Sequence, residues 1–364
     1  MRAIFVASTG QHIGKTTLSL GLFSALRTRF SKVGYFKPVG QETCQLESGL
    51  LIDKDVELFR KTFNLTDPPQ LMSPVVIPPG TTRQYLEGKV PVDQWKQTIK
   101  QSFLELCDRN DFVLCEGTGH VGVGSILGLD NAVVAQILET DVIIVSQAGL
   151  GRAIDQLHLN ACVMSRRKCN IRGVILNQVK LSKKDMLSKY IPLALQQSPL
   201  LNQSRLLGLI PFDHSLAMPT LRGLCALFHT QLLGTTTTEL SHLHAIKQLS
   251  LEVSLQKTYN KPTLFILSKC RDDLLKKLLV FQKKHPSHRN ALILCGHSTV
   301  KAELLQELHQ GNIPFLLVPE RNDEAIKKIH AHISKISADD QDLVRRVISH
   351  VAAHLDLGSL FQEW

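Results

Sequence analysis

The sequence has no apolar run long enough to cross a bilayer, which argues against a helical membrane-spanning protein. No charged leader with a cleavage site precedes the first apolar segment, so a cytoplasmic protein is expected. Eight cysteines are present (Cys44, Cys107, Cys115, Cys162, Cys169, Cys225, Cys270 and Cys295), but no two form a C-x-x-C pair. That scatter argues against a zinc site and against a disulfide framework, and Cys115 and Cys162 read as small core residues. Low-complexity tracts and short-period repeats are absent as well. The formal charge of +10 invites a nucleic-acid reading. Its Lys and Arg residues, however, form neither a basic recognition helix nor an aromatic-interleaved basic strand. A solvated basic surface and an anionic small-molecule ligand are the plainer account, with neither nucleic acid nor membrane as partner.

What is present is a chain of 364 residues, enough for two domains, in which short apolar runs alternate with helical periodicity. Strands are expected at Ala3 to Ala7, Val33 to Phe36, Phe112 to Cys115, Val142 to Val145, Gly173 to Leu176 and Leu206 to Ile210. Continuous rather than alternating apolar strands indicate a parallel sheet covered on both faces, a doubly wound α/β fold. The polar stretch Gly234 to Glu239 breaks this rhythm and reads as a junction. A smaller α/β unit follows, with strands at Thr263 to Leu267, Ala291 to Leu294 and Pro314 to Val318. Helices are read from Arg271, around Ala302 to His309, from Asp323 to Ile333 and from Asp339 to about His354. The expected domains are 1–232 and 233–364.

The first strand runs into Thr9-Gly10-Gln11-His12-Ile13-Gly14-Lys15-Thr16-Thr17, and Leu18, Leu22, Leu26 and Phe30 then recur at helical spacing. Strand, Gly-Lys-Thr turn and helix together make a phosphate grip, because backbone N–H groups at the helix start can face phosphate oxygens. Lys15 would reach the β- and γ-phosphates, and the Thr16 hydroxyl would ligate Mg²⁺. Thr9 stands where the usual pattern has its first Gly, and Gly10 lies one residue later.

Ligands of parallel sheets collect at the carboxyl ends of the strands, which here carry Lys37, Glu116-Gly117-Thr118-Gly119-His120, Asn177 and Pro211. Glu116 is placed to complement Thr16 at a metal, and Asp53 or Asp55 could add a carboxylate. Lys37 offers a second cation for a phosphoryl group, and Asn177 has the donor and acceptor needed for an adenine edge. Taken singly, each is also what stands where a buried strand meets water. With the phosphate loop they favour a site.

These residues carry a resemblance. Thr9 to Thr16, Lys37-Pro38-Val39, Asp55, Glu116-Gly117, Asn160-Ala161 and Asn177 fall in the order and approximate spacing of the dethiobiotin synthetase family of P-loop proteins, over residues 1 to about 222. The branch most resembled is the dethiobiotin-synthetase-like domain of long phosphate acetyltransferases, through Tyr35 to Gln41, Gly117 to His120, Asn131-Ala132 and Gly149 to Gly151. Residues 264–273, 291–296 and 311–319 resemble the DRTGG domain that accompanies it, without the five residues that name that domain.

The resemblance implies ATP and Mg²⁺ as cofactors. Lys15 and Lys37 would stabilise a transferring phosphoryl group, and Thr16, Asp55 and Glu116 would hold the metal. The loop from Thr9 to Thr17, with Asn177 and Pro211, would bind the nucleotide. Arg83, Thr118, Gly119 and His120 are candidate contacts for an unidentified acceptor or effector, and a homodimer is expected by analogy. Three outcomes remain open: a Mg²⁺-dependent ATP-binding protein with a ligand-sensing second domain, a ligase or kinase that activates a small acid or diamine, and a regulatory protein with a vestigial nucleotide site. The chain ends at Trp364 soon after the second domain, so acetyl transfer is not expected.

Overall fold

Six apolar runs form one sheet: β1 (Ala3–Ser8), β2 (Val33–Phe36), β3 (Phe112–Glu116), β4 (Asp141–Gln147), β5 (Ile171–Val179) and β6 (Arg205–Pro211). The structure, a computed structural model, describes residues 2–234, 243, 245–249, 262–285, 290–331 and 336–361. Every residue of β1, β2 and β3 is buried, because helices cover both faces of the sheet. The strand order is β6-β5-β4-β1-β3-β2, and all neighbours are parallel. From β1 the chain moves out to β2, returns to β3 beside β1, and then crosses to β4 on the other side. In open parallel sheets such a reversal marks the place, beyond the carboxyl ends of the strands, where ligands bind.

The connecting helices are α1 (Lys15–Leu26), α2 (Lys54–Phe63), α3 (Val92–Arg109), α4 (Asn131–Leu138), α5 (Leu150–Arg166) and α6 (Lys184–Gln197). Helix α2 starts at the Asp53 cap, whose carboxylate accepts the Asp55 N–H, and Asp130 caps α4 in the same way. Cys115 is buried, as expected, whereas Cys162 is exposed on the outer face of α5 and is not a core residue.

A second sheet contains β7 (Ala245–Gln248), β8 (Thr263–Ser268), β9 (Ala291–Cys295) and β10 (Phe315–Val318), parallel and in chain order. Its helices are α7 (Leu221–Phe228), α8 (Asp272–Lys284), α9 (Ala302–Gln310) and α10 (Asn322–Ala331). Strand alternation sorts the core into two layers. Phe265, Leu267, Leu292 and Leu294 pack with Leu278 and Leu308, while Leu264, Ile266, Ile293 and Leu316 pack with Leu224, Phe228 and Ile329.

The compact units are Met1–Phe212 with Ile336–Trp364, and Asp213–Lys335. This division differs from a single junction at 232/233 at two places. Helix α7 buries Leu221, Leu224 and Phe228 in the second sheet's core. The last long helix, α11 (Gln341–Ala352), packs on α1 of the first unit. Gly21 allows that approach: a Cβ there would lie 2.4 Å from Val351 Cβ. Helix α1 is therefore covered by the sheet and by α11, which explains why Leu18, Leu20, Leu22, Phe23 and Leu26 are all buried. Strand β7 escaped sequence reading because its Ile246-Lys247-Gln248 is a partly exposed edge. Beyond Gly234, the polar segment read as a junction lies outside the described residues, as does Ile333. Among the described residues no helix is long and apolar enough to cross a membrane.

Candidate functional site

The chain leaves β1 at Ser8 and enters α1 through Gly14, whose φ of 91° suits a residue without a Cβ. No side chain caps α1, so its first-turn N–H groups are not used by a capping side chain and can serve an anion. A Cβ on Gly14 would lie 2.5 Å from Asn177 Nδ2. Asn177, read from the sequence as a base contact, braces this loop: Nδ2 donates to the Ile13 carbonyl at 2.7 Å, and Oδ1 accepts the Gln178 N–H at 2.9 Å.

Thr9 fastens the loop's start to β4, with its hydroxyl donating to Ser146 Oγ at 3.2 Å and its N–H to the Val145 carbonyl at 2.9 Å. The Gly10 carbonyl accepts from Ser8 Oγ at 2.8 Å. Gln11 and His12 are exposed, with His12 at φ 57°, and Thr17 is half-buried.

Beside the loop, side chains from four elements converge. Glu116, wholly buried at the end of β3, accepts the Thr16 hydroxyl at 3.0 Å and Lys37 Nζ at 2.9 Å on Oε1, and the Tyr35 hydroxyl at 3.1 Å on Oε2. Lys37 Nζ also donates to Asp55 Oδ2 at 2.6 Å. Burial alone would pull the Lys37 ammonium down, but the carboxylates of Asp55, Glu116 and Asp53 outweigh it and hold its pKa well above the usual lysine range. Lys37 is a buried, paired cation.

Asp53 works differently from Asp55. It accepts N–H groups of Gln41 and Asp55, and burial pushes its pKa up to about 6 against the pull of Lys37. Burial, reinforced by Glu116, raises Tyr35 well above an ordinary phenol, so it remains a donor.

Lys15 Nζ donates to the Gly119 carbonyl and to Ser8 Oγ, the latter at 3.1 Å. The loop after β3 is tied down from α4: Asn131 Oδ1 accepts the Thr118 N–H, and its Nδ2 donates to the Thr118 and His120 carbonyls at 3.0 and 2.8 Å. The Thr118 hydroxyl donates to the Val39 carbonyl. His120 is exposed and accepts the Gly122 N–H on Nδ1. Arg83 is exposed on the short helix Thr81–Leu86, and no described bond joins its side chain to the cluster. The Pro211 carbonyl pairs with His350 Nε2 of α11 at 2.8 Å.

Thr16, Asp55 and Glu116 are hard oxygen donors, and Lys37 already bridges the two carboxylates among them. This donor set fits a small divalent cation such as Mg²⁺. Tyr35 and Asn131 lie in stretches that carry the resemblance, but sequence reading gives them no part in the site, and gives none to Ser8 and His350. Tyr35 carried a usable signal, since it stands two residues before Lys37 and a strand's period of two sends both to one face. The contacts that Asn131 and His350 make gave no local signal, because only the fold brings them to loops distant in the chain.

Residues 2–220 match the family model described as AAA domain. The chain is 26% identical to a phosphate acetyltransferase of Nitrosomonas europaea across 98% of its own length and 50% of the relative. It thus spans about half the length of the phosphate acetyltransferases it matches. An ATP-dependent dethiobiotin synthetase of Clostridium acetobutylicum is 30% identical over 49% of this chain and 75% of that protein. The MinD cell division protein of Aquifex aeolicus overlays 59% of this chain and 84% of its own, at 15% identity and a TM-score of 0.37.

Proposed function

The chain belongs to the AAA domain family and is homologous to the dethiobiotin synthetases, and from that premise we propose that it binds ATP with Mg²⁺ and spends it on hydrolysis or on activating a small-molecule substrate. The observation that carries this reading is the convergence of Thr16, Lys37, Asp55 and Glu116 at the reversal point of a parallel sheet, beside an uncapped helix start. The amides of the loop from Gly10 to Thr17 bind phosphate oxygens, and Lys15 turns from the Gly119 carbonyl to them. Thr16, Asp55 and Glu116 hold the metal, which when bound offsets charge between the phosphates. Lys37 exchanges its carboxylate partners for a phosphoryl oxygen, placing a buried cation where negative charge gathers. Asn177 keeps the loop in shape and, with the Pro211 end of β6, meets the base.

The acceptor belongs on the Thr118 to His120 side, with Arg83 reaching it only from a surface helix. The DRTGG-like unit is a regulatory or ligand-sensing domain, and the protein works as a cytoplasmic homodimer. Calorimetry with Mg-ATP tests the core of this reading. Lys15→Ala should bind at least about tenfold more weakly, the loss of one charge-assisted contact; equal affinity in the two proteins overturns it.

A second reading is favoured by the correspondence of nearly the whole chain to half of each phosphate acetyltransferase. Here the site is vestigial and the chain regulates a partner. The readings part in a thermal-shift assay, because a nucleotide at a hundred times its Kd adds about 2.7 kcal/mol of stability. Absence of protection by Mg-ATP selects the second.

A further inference from the structure

The three groups assigned to the metal come from three different elements: Thr16 from α1, Asp55 from α2 and Glu116 from β3. One side chain, wholly buried, touches all three elements. The Tyr35 ring stacks on Phe59 of α2, with centroids 3.7 Å apart and planes 9° from parallel. Its edge meets Phe23 of α1 at 6.5 Å. Its hydroxyl donates to Glu116 Oε2 at 3.1 Å.

We propose that Tyr35 is the positioning residue of the metal site, fixing the Glu116 carboxylate so that Oε1 alone is presented to Thr16 and to the cation. The inference rests on the metal role given above to Glu116. A carboxylate at the end of a strand turns about its last torsion unless both oxygens are held, and here Oε1 is held by Thr16 and Lys37. Both of those partners must rearrange when ligands enter, Thr16 to share its oxygen and Lys37 to reach a phosphoryl group. Tyr35 is the partner of Glu116 that has no ligand to bind, since its ring is held between Phe59 and Phe23 and its side chain is wholly buried. It therefore keeps the carboxylate's angle constant while the other partners move. Donors that hold a metal ligand from behind are worth about 10–100-fold in metal affinity.

The test is Tyr35→Phe, which keeps the stack and removes one oxygen. ATP binding is followed in EDTA and then across a Mg²⁺ titration, using the full chain. The expected result is an ATP affinity unchanged in EDTA and a Mg²⁺ midpoint raised about tenfold. Phe59→Leu, which loosens the ring and keeps the hydroxyl, serves as the second variant and should raise the midpoint by less. Glu116→Gln is the control for the underlying reading. If Glu116→Gln moves the midpoint and Tyr35→Phe does not, the positioning role is overturned and the metal site stands. If Glu116→Gln also leaves it unmoved, the metal reading itself falls. Equal losses with and without Mg²⁺ in Tyr35→Phe, or a larger shift in Phe59→Leu, make Tyr35 a packing residue and overturn the inference.

Discussion

The protein contains two parallel sheets built from the same kind of apolar strand, yet among the described residues the buried charged side chains at strand ends, Lys37 and Glu116, belong to the first, while Glu320 after β10 is part-exposed and paired with Lys328. In the first, strand order reverses at β1, and Lys37, Asp53 and Glu116 lie buried beside the phosphate loop. In the second, β7 to β10 follow one another without reversal, and ion pairs such as Lys283–Glu307 stand in solvent, the two side chains 69% and 39% exposed. The difference shows what a reversal does. Two successive connections that leave on opposite sides of a strand part the helices and open a crevice, whereas connections that keep stepping the same way give no such opening. Buried charge is tolerated where each group has partners, and at the first sheet Lys37, Glu116, Asp55, Thr16 and Tyr35 partner one another.

The comparison can be broken most forcefully at Lys37. Lys37→Met should leave Asp55 and Glu116 uncompensated and cost about 3–5 kcal/mol in urea unfolding. If that loss fell below 1 kcal/mol, the buried cluster would be no different in kind from a surface pair. A smaller contrast lies in two glycines that share a positive φ, Gly14 at 91° and Gly296 at 100°. Gly14→Ala collides with Asn177 Nδ2 and should weaken Mg-ATP binding by at least about tenfold, the shape of the loop being what positions its amides. Gly296→Ala meets only Ser268 Oγ at 4.0 Å, so it carries backbone strain of about 1–2 kcal/mol and leaves nucleotide affinity alone. Matching nucleotide losses in the two variants would remove the distinction between the sheets. The smallest effect is expected at Lys283→Met, which should change stability by under about 1 kcal/mol, as exposed pairs do.

Much of this was legible in the chain. The six strands of the first sheet and three of the second came from continuous apolar runs, because burial on both faces leaves no polar residue to interrupt them. Lys37, Asp55 and Glu116 could be found because each follows a strand or opens a helix, positions that chain order alone locates. Asn177 shows the limit. Its place at a strand end suggested a polar contact for a ligand, but its bond to the Ile13 carbonyl depends on how far β5 extends and how the loop turns, which no local pattern gives. The two compact units also divide differently from a single cut at 232/233, since α7 and α11 choose their partners by shape rather than by nearness in sequence.

The sequence by itself determined the α/β class, the phosphate loop and the cast of charged residues, because periodicity and local spacing are properties of neighbouring residues. Only the tertiary structure decided that Lys37 bridges Asp55 and Glu116, that Tyr35 holds Glu116 from behind, and that α11 returns to cover α1 at Gly21. Those contacts join residues 18 to 330 positions apart, and their formation is set by sheet order and close packing, which no local pattern encodes.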